Sequence, residues 1–375
     1  MKRVFLSASK TALCVAGIVS GQLALAADVV TTRAAQEPAR AWTDAEFASA
    51  RSAMPKVNFL PAAVFDYNAS VAEANGSVSA INVAGSVGGA DARNLREERP
   101  SSLVSIQGVD VEAESAFEPQ AVGNVGRHFT STRTYPNNSD TTYPTRTVGK
   151  LYFRDPVTNI NYVCSGSMIK KGVVLTSGHC IHNGSNRFYT DFVFRPGLRN
   201  LVYPYGTWSN WVQGRTTVAW VTGGGGVPNT GDWATIVFGP NAAGQRIGNF
   251  TGWLGYQSGI CSGRHQTTLG YPVNLDSGLQ MHRSESQANS FGSLNNCTWG
   301  TDMRGGSSGG PVALNFQQTY INASLLPLEN NSNRVVATVS WGFVDPAVKV
   351  QGGSIVNAVF GALITDTCTS NPTAC

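Results

Sequence analysis

The sequence predicts an all-β fold for residues 121–375, closed by a helix near the C-terminus. Short runs rich in Val, Ile, Tyr, Phe and Trp recur between Gly, Asn, Asp and Pro, as in "VGKLYF", "GVVLTS", "RTTVAWV", "ATIVFG" and "RVVATVSWGF". This spacing is typical of an antiparallel sandwich or barrel. About 255 residues suffice for one large all-β unit or for two packed barrels. Helical periodicity becomes clear only in "SIVNAVFGALITDTC".

The first 26 residues have the parts of a secretory signal peptide. Lys2 and Arg3 give a positive start, and a short apolar run ends in Ala24-Leu25-Ala26, where Ala24 and Ala26 are the small residues at the break. The run is too short and too interrupted to span a membrane, and no later stretch is long and apolar enough. We therefore expect a soluble, exported protein without a membrane partner, cleaved after Ala26.

Residues 27–120 differ from the rest of the chain in charge and composition. They hold 13 acidic and 7 basic side chains, whereas residues 121–375 hold 10 acidic and 17 basic ones. Few aromatic residues and much Ala, Ser and Gly are typical of loops and linkers. The best helix candidate here is "WTDAEFASARSAM". We expect an acidic, partly disordered pro-segment that shields the basic domain or helps it to fold.

Composition also limits the expected ligands. The arginines of the basic region are scattered and match no nucleic-acid-binding module, so no nucleic-acid partner is expected. An even number of cysteines after the signal peptide favours three disulfides among fifteen possible pairings. No Cys-x-x-Cys occurs, which argues against a zinc ribbon. No metal site or cofactor is predicted. The six cysteines are Cys164, Cys180, Cys261, Cys297, Cys368 and Cys375.

The segment "TWGTDMRGGSSGGPVAL" at residues 298–314 contains a candidate nucleophile. Gly306 and Gly310 flank Ser308 at a spacing of two residues. Such glycines permit a tight turn that exposes the hydroxyl and the backbone amides. A serine hydroxyl needs a neighbouring base to act as a nucleophile, and the amides can hold the oxyanion that forms on attack. A plain Gly/Ser turn is the alternative interpretation.

The histidines determine which base is available. All five precede Ser308 in the chain, whereas in an α/β-hydrolase the histidine follows the serine, so an esterase or lipase of that fold is disfavoured. His179 lies in "VVLTSGHCIHN", where a β-rich run ends in small residues beside Cys180. We therefore predict His179 as the base. A metal pair with His182 is the alternative, but no further ligands follow.

Asp232 is the candidate for the third member of a catalytic triad. It lies in "NTGDWATIVFG", where a loop enters an apolar strand, and an aspartate about to be buried needs partners. A carboxylate that accepts from a histidine N–H fixes the imidazole tautomer. Capping of a turn is the other interpretation, but the order His179, Asp232, Ser308 favours catalysis.

Four segments together resemble the trypsin/chymotrypsin-like serine peptidases. They are "LTSGHC" around His179, "GDWA" around Asp232, "GGSSGGPV" around Ser308 and "VSWG" at 339–342. Further matches, such as "TVGKLYF", "NYVCSGSMI", "FRPG", "PYGTW" and "GYP", are most similar to the secreted microbial branch that includes the glutamyl endopeptidases. The resemblance covers most of residues 145–360. It implies two packed six-stranded antiparallel β-barrels with the site between them.

The resemblance also implies roles for individual residues. Ser308 is the expected nucleophile, His179 the general base and then acid, and Asp232 the orienting carboxylate. The amides of Gly306 and Ser308 are expected to form the oxyanion hole. The residues expected to pair with substrate as an extra strand are Ser340, Trp341 and Gly342. The same resemblance implies the disulfide Cys164–Cys180. Cys261–Cys297 and Cys368–Cys375 are the expected pairs among the four cysteines that remain, and their pairing stays open at this point.

Two departures from the family pattern concern activation. The family often has an aspartate before the nucleophile, which receives the new N-terminal amine in trypsin-type activation, but here the residue is Ser307. The segment "EPQAVGNVGRHF" also lacks Ile-Val-Gly-Gly. By similarity to the glutamyl branch we place maturation at residues 119–122, and the trypsin-type switch is in doubt.

Cleavage preference stays open between Arg/Lys and Glu. Asp302 occupies the place that lines the specificity pocket in trypsin, and Gly342 with Gly352 or Gly353 would keep such a pocket open; a loop-bracing role for Asp302 is the alternative. Residues 121–375 hold 13 arginines but only 2 glutamates, as expected of a Glu-specific enzyme that spares itself. Against Glu, the histidine and threonine usual in the glutamyl branch are replaced by Val339 and Met303.

The sequence therefore predicts a secreted serine endopeptidase made as a precursor. Its expected partners are polypeptide substrates and its own pro-segment, and we expect a monomer outside the cytoplasm. The alternative is a catalytically inactive protease homologue that acts as a secreted binding module.

Overall fold

The computed structural model describes residues 29–34, 40–58, 81–98, 127–135, 140–259, 261–291, 295–317 and 332–375. The predicted signal peptide and maturation site lie outside these residues. The strands are β1 Val29–Arg33, β2 Arg51–Ser52, β3 Lys56–Val57, β4 Asn82–Val83, β5 Glu97–Glu98, β6 Phe129–Arg133, β7 Val148–Arg154, β8 Asn161–Lys170, β9 Val173–Thr176, β10 Thr190–Pro196, β11 Val202–Tyr203, β12 Trp211–Thr217, β13 Ala234–Phe238, β14 Gly255–Gln257, β15 His265–Gly270, β16 His282–Gln287, β17 Asn289–Ser290, β18 Asn296–Gly300, β19 Pro311–Leu314, β20 Arg334–Thr338, β21 Trp341–Phe343 and β22 Val350–Ser354. The α-helices are α1 Asp44–Ala48, α2 Val218–Thr222, α3 Ile247–Thr251 and α4 Ala358–Ser370.

The first half of the domain is one curled sheet of eight strands. Its order is β1-β12-β13-β9-β8-β7-β10, and β2 pairs with β8 outside this path. Every residue of β7, β9 and β13 is buried, including Lys150 and Arg154 of β7, because other parts of the protein cover both faces of these strands. The aromatic side chains at the centre of this barrel are Phe153, Phe192, Phe194, Trp211 and Phe238.

The second half consists of two sheets that join at their edges. Their orders are β4-β14-β20-β19-β15-β16-β6 and β17-β18-β22-β21-β3. A bridge between Ala337 and Ile355 connects β20 to the end of β22, and Ser284 Oγ of β16 donates to the Gly300 carbonyl of β18 at 3.3 Å. Strands β15, β16, β18, β19, β20 and β22 thus form the second barrel. The predicted all-β fold of two packed barrels is confirmed.

The acidic N-terminal segment contributes strands to both halves. β1 extends the first sheet beside β12, and β4 extends the seven-stranded sheet beside β14. The helix predicted in "WTDAEFASARSAM" covers only Asp44–Ala48. Thr43 and Glu46 form a capping box at its start. The helix ends early because the chain becomes extended and Arg51–Ser52 pairs with β8.

The predicted C-terminal helix is confirmed as α4. Its cap is Asn357, whose side chain accepts from the amides of Val359 and Phe360. The ring of Phe360 lies 5.7 Å from that of Trp233, which precedes β13, and 5.3 Å from that of Tyr256 in β14. The helix therefore packs over the junction of the two halves and holds them together.

Three disulfides lie within the described residues. Cys164–Cys180 ties β8 to the turn after β9, Cys261–Cys297 ties the chain before β15 to β18, and Cys368–Cys375 closes the end of the chain behind α4. Cys164–Cys180 is the pairing that the family resemblance implied, and the other two are the pairs expected among the remaining four cysteines. No helix in the described ranges is both long and apolar enough to cross a membrane.

Candidate active site

His179 lies in a single helical turn, Gly178–Cys180, that follows strand β9. The turn packs so closely that a side chain at Gly178 would meet Asp232 Oδ1 at 2.9 Å and the ring of Trp220 at 2.8 Å. Only glycine therefore fits before His179. The disulfide of Cys180 fixes the other side of the turn. His179 is only 4% exposed, so neighbouring protein groups determine the orientation of its imidazole ring.

Asp232 holds His179 through two hydrogen bonds. Its Oδ1 accepts from the His179 backbone amide at 2.8 Å, and its Oδ2 lies 2.8 Å from His179 Nδ1. Oδ2 also accepts from Ser340 Oγ. Asp232 has no exposed surface, and a buried carboxylate is tolerated only when its oxygens are satisfied in this way. The arrangement favours the tautomer with the proton on Nδ1 and the lone pair on Nε2.

Ser308 lies in the loop between β18 and β19, and backbone contacts fix that loop. The Ser308 carbonyl accepts from the Ser165 amide at 2.6 Å, and the Gly309 amide donates to the Val339 carbonyl at 2.7 Å. Gly309 has φ +76°, and a Cβ there would overlap Thr176 Oγ1. The loop is therefore pressed against the end of β9, three residues before His179. The glycines of "GGSSGGP" permit close packing and rigidity.

The two groups expected to exchange a proton are buried and otherwise unpaired. Within the described residues, neither His179 Nε2 nor Ser308 Oγ has a hydrogen-bond partner. In unliganded enzymes such catalytic hydrogen bonds are often long and shorten only when substrate is bound. The Ser308 loop thus packs against the end of β9 that leads to His179, and both atoms are without a partner in the described part of the chain.

The predicted oxyanion and strand-pairing residues lie beside this site. Gly306 has φ +96°, which favours glycine, and its carbonyl accepts from Ser165 Oγ at 2.8 Å. Trp341 and Gly342 belong to strand β21, which pairs with β22. The buried Trp341 ring donates to Asn296 Oδ1 at 2.9 Å and is fixed by that contact.

The residue opposite Gly342 is Gln351, and sequence reasoning missed it. Gln351 is 1% exposed, and its Nε2 donates to Ser307 Oγ at 2.9 Å. Gly353, which was predicted to line the pocket, lies so close to Thr338 that a Cβ would overlap the Thr338 carbonyl. This glycine allows two strands to approach. Only the register of β21 with β22 places Gln351 opposite Gly342, since the sequence offers no motif for it.

Asp302 combines a fixed backbone with an unpaired carboxylate oxygen. Its carbonyl accepts from Asn274 Nδ2 at 2.9 Å, so the loop is braced through the main chain. Its side-chain Oδ1 is buried and has no hydrogen-bond partner within the described residues. Asp302 thus braces the loop through its main chain, and one side-chain oxygen remains available to another group.

A charged cluster lies near Asp302. His282 Nε2 lies 2.7 Å from Asp276 Oδ2, and Arg133 also pairs with Asp276. Burial lowers the pKa of His282, although Asp276 and Asp302 oppose this shift. Burial alone would raise the pKa of Asp276, but hydrogen bonds from Arg133 and His282 outweigh it and lower that pKa. In this cluster Asp276 is therefore paired with Arg133 and His282, and burial disfavours protonation of His282.

Comparisons with known proteins point to peptidases. No protein-family model matches the chain. The chain is 27% identical over 212 residues to an extracellular metalloprotease of Bacillus subtilis, covering 54% of this chain and 62% of that protein. It is 30% identical over 159 residues to a glutamyl endopeptidase of Bacillus licheniformis, covering 42% of this chain and 46% of that protein. The chain thus spans about half to three fifths of the length of these relatives.

One solved structure is also similar to the chain. The crystal structure of the protease Anisep from Arthrobacter nicotinovorans is 25% identical, with a TM-score of 0.48, and the match covers 61% of this chain and 95% of that one. The similarity to the glutamyl endopeptidase confirms the resemblance to the microbial branch of trypsin-like serine peptidases that the motifs predicted.

The residues at the site do not suit a metal ion, although the name of one relative contains the word metalloprotease. Within the described ranges, the one group of three potential ligands is Cys164, His179 and Cys180. The two cysteines form a disulfide with each other, and a metal ligand must be a thiolate. His182, the alternative metal partner, accepts at Nδ1 from the Gly184 amide. No catalytic step is therefore assigned to a metal.

Proposed function

We propose that the chain is the precursor of a secreted serine endopeptidase. The observation that supports this most directly is the buried pair of Asp232 and His179, in which the carboxylate accepts from both the amide and Nδ1 of the histidine. This contact leaves His179 Nε2 available beside the loop that carries Ser308. Sequence similarity to a glutamyl endopeptidase points to the same chemistry.

In the proposed acylation step, Ser308 Oγ attacks the carbonyl carbon of the scissile peptide bond. His179 Nε2 removes the hydroxyl proton, and Asp232 stabilises the resulting imidazolium without itself being protonated. The amides of Gly306 and Ser308 hold the oxyanion of the tetrahedral intermediate. His179 then gives its proton to the leaving amine, the C–N bond breaks, and an ester to Ser308 remains.

In the proposed deacylation step, a water molecule replaces the amine. His179 removes a proton from the water, the hydroxide attacks the ester carbonyl, and a second oxyanion forms at the same amides. The C–O bond to Ser308 then breaks as His179 returns the proton to Ser308 Oγ. The products are a carboxylic acid, an amine and the original enzyme.

We further propose that the signal peptide of residues 1–26 and the pro-segment of residues 27–120 are removed, leaving residues 121–375 as a secreted monomer. The positive start and apolar run of the leader support export, and three disulfides favour an oxidising compartment. Polypeptides are the proposed substrates, and nucleic acid and membranes are not among the proposed partners.

For cleavage preference, the buried Oδ1 of Asp302, which has no partner in the described part of the chain, favours a basic side chain before the scissile bond. An Arg or Lys would supply the charge-assisted hydrogen bond that this oxygen lacks. The second candidate is Glu, which is supported by the similarity to a glutamyl endopeptidase and by the scarcity of Glu in residues 121–375. A digest of a mixed peptide library with the processed protein, sequenced at the cut sites, distinguishes the two.

A serine-directed phosphonylating reagent tests the enzyme assignment. The processed protein from the medium of a secreting host should be labelled on Ser308, and Ser308→Ala should abolish both labelling and peptide hydrolysis. Ser185→Ala, at an exposed serine outside the site, is the matched control and should change neither. Labelling that persists in Ser308→Ala would reject the assignment, and specific peptide binding without any labelling would favour the inactive binding module.

A chelator separates serine from metal chemistry. Treatment with EDTA should leave the labelling rate of Ser308 unchanged, because the labelling reaction uses only the serine, histidine and aspartate. Loss of peptide hydrolysis on metal removal, with recovery on zinc addition, would favour metal chemistry instead.

A further inference from the structure

The segment Arg51–Val57 crosses from one barrel to the other over the candidate active site. At its start, β2 pairs with Tyr162 and Val163 of β8 in the first barrel. At its end, β3 pairs with Gly342 and Phe343 of β21 in the second. Because the Ser308 loop lies between β8 and β21, the intervening residues must pass along the cleft between the barrels.

Two side chains of the segment make close contacts in the cleft. Ser52 lies so close to Gly305, three residues before Ser308, that a Cβ on Gly305 would overlap its Oγ. Met54 is 9% exposed, and its Sδ lies 3.7 Å from Gln351 Nε2 and would lie 3.4 Å from a Cβ on Gly342. Met54 thus packs against Gln351 and beside Gly342, one of the glycines predicted to keep the specificity pocket open.

Apolar packing stabilises Met54 in this position. It belongs to a buried cluster with Trp299, Val339 and the Cys261–Cys297 disulfide. A methionine fills an irregular apolar space well because its side chain is unbranched and flexible. The contact therefore resembles the burial of a core side chain more than a chance surface contact.

The segment lies in the cleft without presenting a peptide bond to the catalytic groups. Its strands run parallel to β8 and β21, and the carbonyls of Pro55 and Val57 accept from the amides of Gly342 and Val344 at 3.2 and 2.9 Å. No hydrogen bond in the described part of the chain joins a carbonyl of residues 51–57 to the amide of Gly306 or Ser308. Attack by serine requires such a carbonyl in the oxyanion hole.

The preceding residues anchor the segment to the first barrel. The rings of Trp42 and Phe47 stack at 5.1 Å and pack against the ring of Tyr152. Glu46 pairs with Arg154 at 2.7 Å, and both side chains are largely buried. This docking places the segment next to the cleft at a high effective concentration, so even weak contacts keep it in place.

We propose that Arg51–Val57 is a built-in inhibitor that occupies the cleft in a non-cleavable orientation, with Met54 as its plug. The inference rests on the proposed peptidase function and adds a mechanism of latency to it. The precursor is held inactive by occupation of the substrate-pairing edge of β21, and activity requires that this segment leave. Such a device does not depend on a new N-terminal amine, in agreement with Ser307 in place of the usual aspartate.

The test uses the unprocessed full chain and compares Met54→Ala with the parent. Removal of the Met54 side chain weakens the plug, and we expect the labelling rate of Ser308 by a phosphonylating reagent to rise about tenfold. In the Ser308→Ala background, hydrogen exchange at the amides of Gly342 and Val344 should accelerate by a similar factor. Val87→Ala, at an exposed position of the N-terminal segment, is the control and should leave both rates unchanged.

The two measurements separate the inference from the proposed function. Equal labelling rates in the parent and in Met54→Ala would overturn the inhibitor while leaving the peptidase intact. Faster exchange without labelling in any variant would reject the peptidase function and keep the docked segment. A second variant, Ser52→Trp, should displace the segment from Gly305 by its bulk. If Met54→Ala and Ser52→Trp both fold and hydrogen exchange at the Gly342 and Val344 amides stays as slow as in the parent, the proposed docking is overturned.

Discussion

The substitution Asp232→Asn gives the sharpest test of the candidate triad. In the structure, Asp232 Oδ2 faces two donors, His179 Nδ1 and Ser340 Oγ, while Oδ1 faces the His179 amide. If the new NH₂ takes the place of Oδ2, it donates to Nδ1 and forces the imidazole proton onto Nε2. If it takes the place of Oδ1, two donors, the new NH₂ and the His179 amide, face each other and the hydrogen bond between residues 232 and 179 is lost. Either orientation loses the arrangement that prepares Nε2 as a base.

The expected cost is large because the network is fully buried. A wrong histidine tautomer lowers kcat by about 10⁴-fold, or ~5.5 kcal/mol in activation free energy. Because the amide is nearly the same size as the carboxylate, the fold should be retained, with a loss of about 1–3 kcal/mol in the free energy of unfolding for the mismatched hydrogen bond. Peptide hydrolysis by the processed enzyme, followed from pH 5 to 9, measures the kinetic effect.

Asp155→Asn is the matched control. Asp155 is also a buried aspartate, but it accepts from Arg187 and from the backbone of its own turn, away from the site. This variant should lose stability without a comparable loss of kcat. A loss of less than tenfold in Asp232→Asn, or an equal loss in both variants, would refute the assignment of Asp232 as the orienting carboxylate.

Three further predictions concern stability and preference, with the stability measurements made in the Ser308→Ala background. Removal of Cys164–Cys180, whose cysteines are 16 residues apart, should cost about 3 kcal/mol in urea unfolding, and removal of Cys368–Cys375, 7 apart, should cost less; the reverse order would contradict the loop-length argument. Burial and, to a smaller extent, Arg195 lower the pKa of Lys150 to about 7, so above that pH the unfolded chain binds one more proton than the folded chain. Stability should therefore rise with pH between 7.5 and 9, by about 1.4 kcal/mol per unit from this group, and the rise should be missing in Lys150→Met; identical pH profiles would sink this account. Asp302→Asn should lower kcat/KM for Arg and Lys substrates by about 10²-fold, whereas the exposed control Asp345→Asn should not; an unchanged preference in Asp302→Asn would remove Asp302 from the pocket.

Much of the candidate site could be predicted because its residues lie in local sequence contexts that physical chemistry restricts. Ser308 needs flanking glycines to turn and to pack against β9, and the sequence displays them. Asp232 lies where the chain enters a buried apolar strand, so its carboxylate requires a hydrogen-bond donor. Because His179 precedes Ser308 in the chain, the order of the residues argues against the α/β-hydrolase fold. Spacing alone did not identify Gln351, because its position opposite Gly342 depends on a strand register that no local pattern encodes.

The N-terminal segment illustrates the same limit. Its composition predicts loops and one helix. Thr43 and Glu46 form a capping box at the start of that helix. The pairing of Arg51–Ser52 with β8 and of Lys56–Val57 with β21 joins residues more than 100 positions apart in sequence. Two-residue strands carry no detectable alternation, so their pairing is determined by the edges that the barrels leave available.

The sequence by itself determined the all-β class, the C-terminal helix and the chemical identity of the candidate triad, since these follow from local apolar patterns, turn glycines and residue order. The tertiary structure alone decided which atoms meet: the two hydrogen bonds between Asp232 and His179, the Gln351 side chain opposite Gly342, and Met54 packed beside them. The physical reason is that hydrogen bonds and side-chain packing depend on distances of a few ångströms between residues far apart in the chain. Those distances are fixed only when the two barrels close against each other.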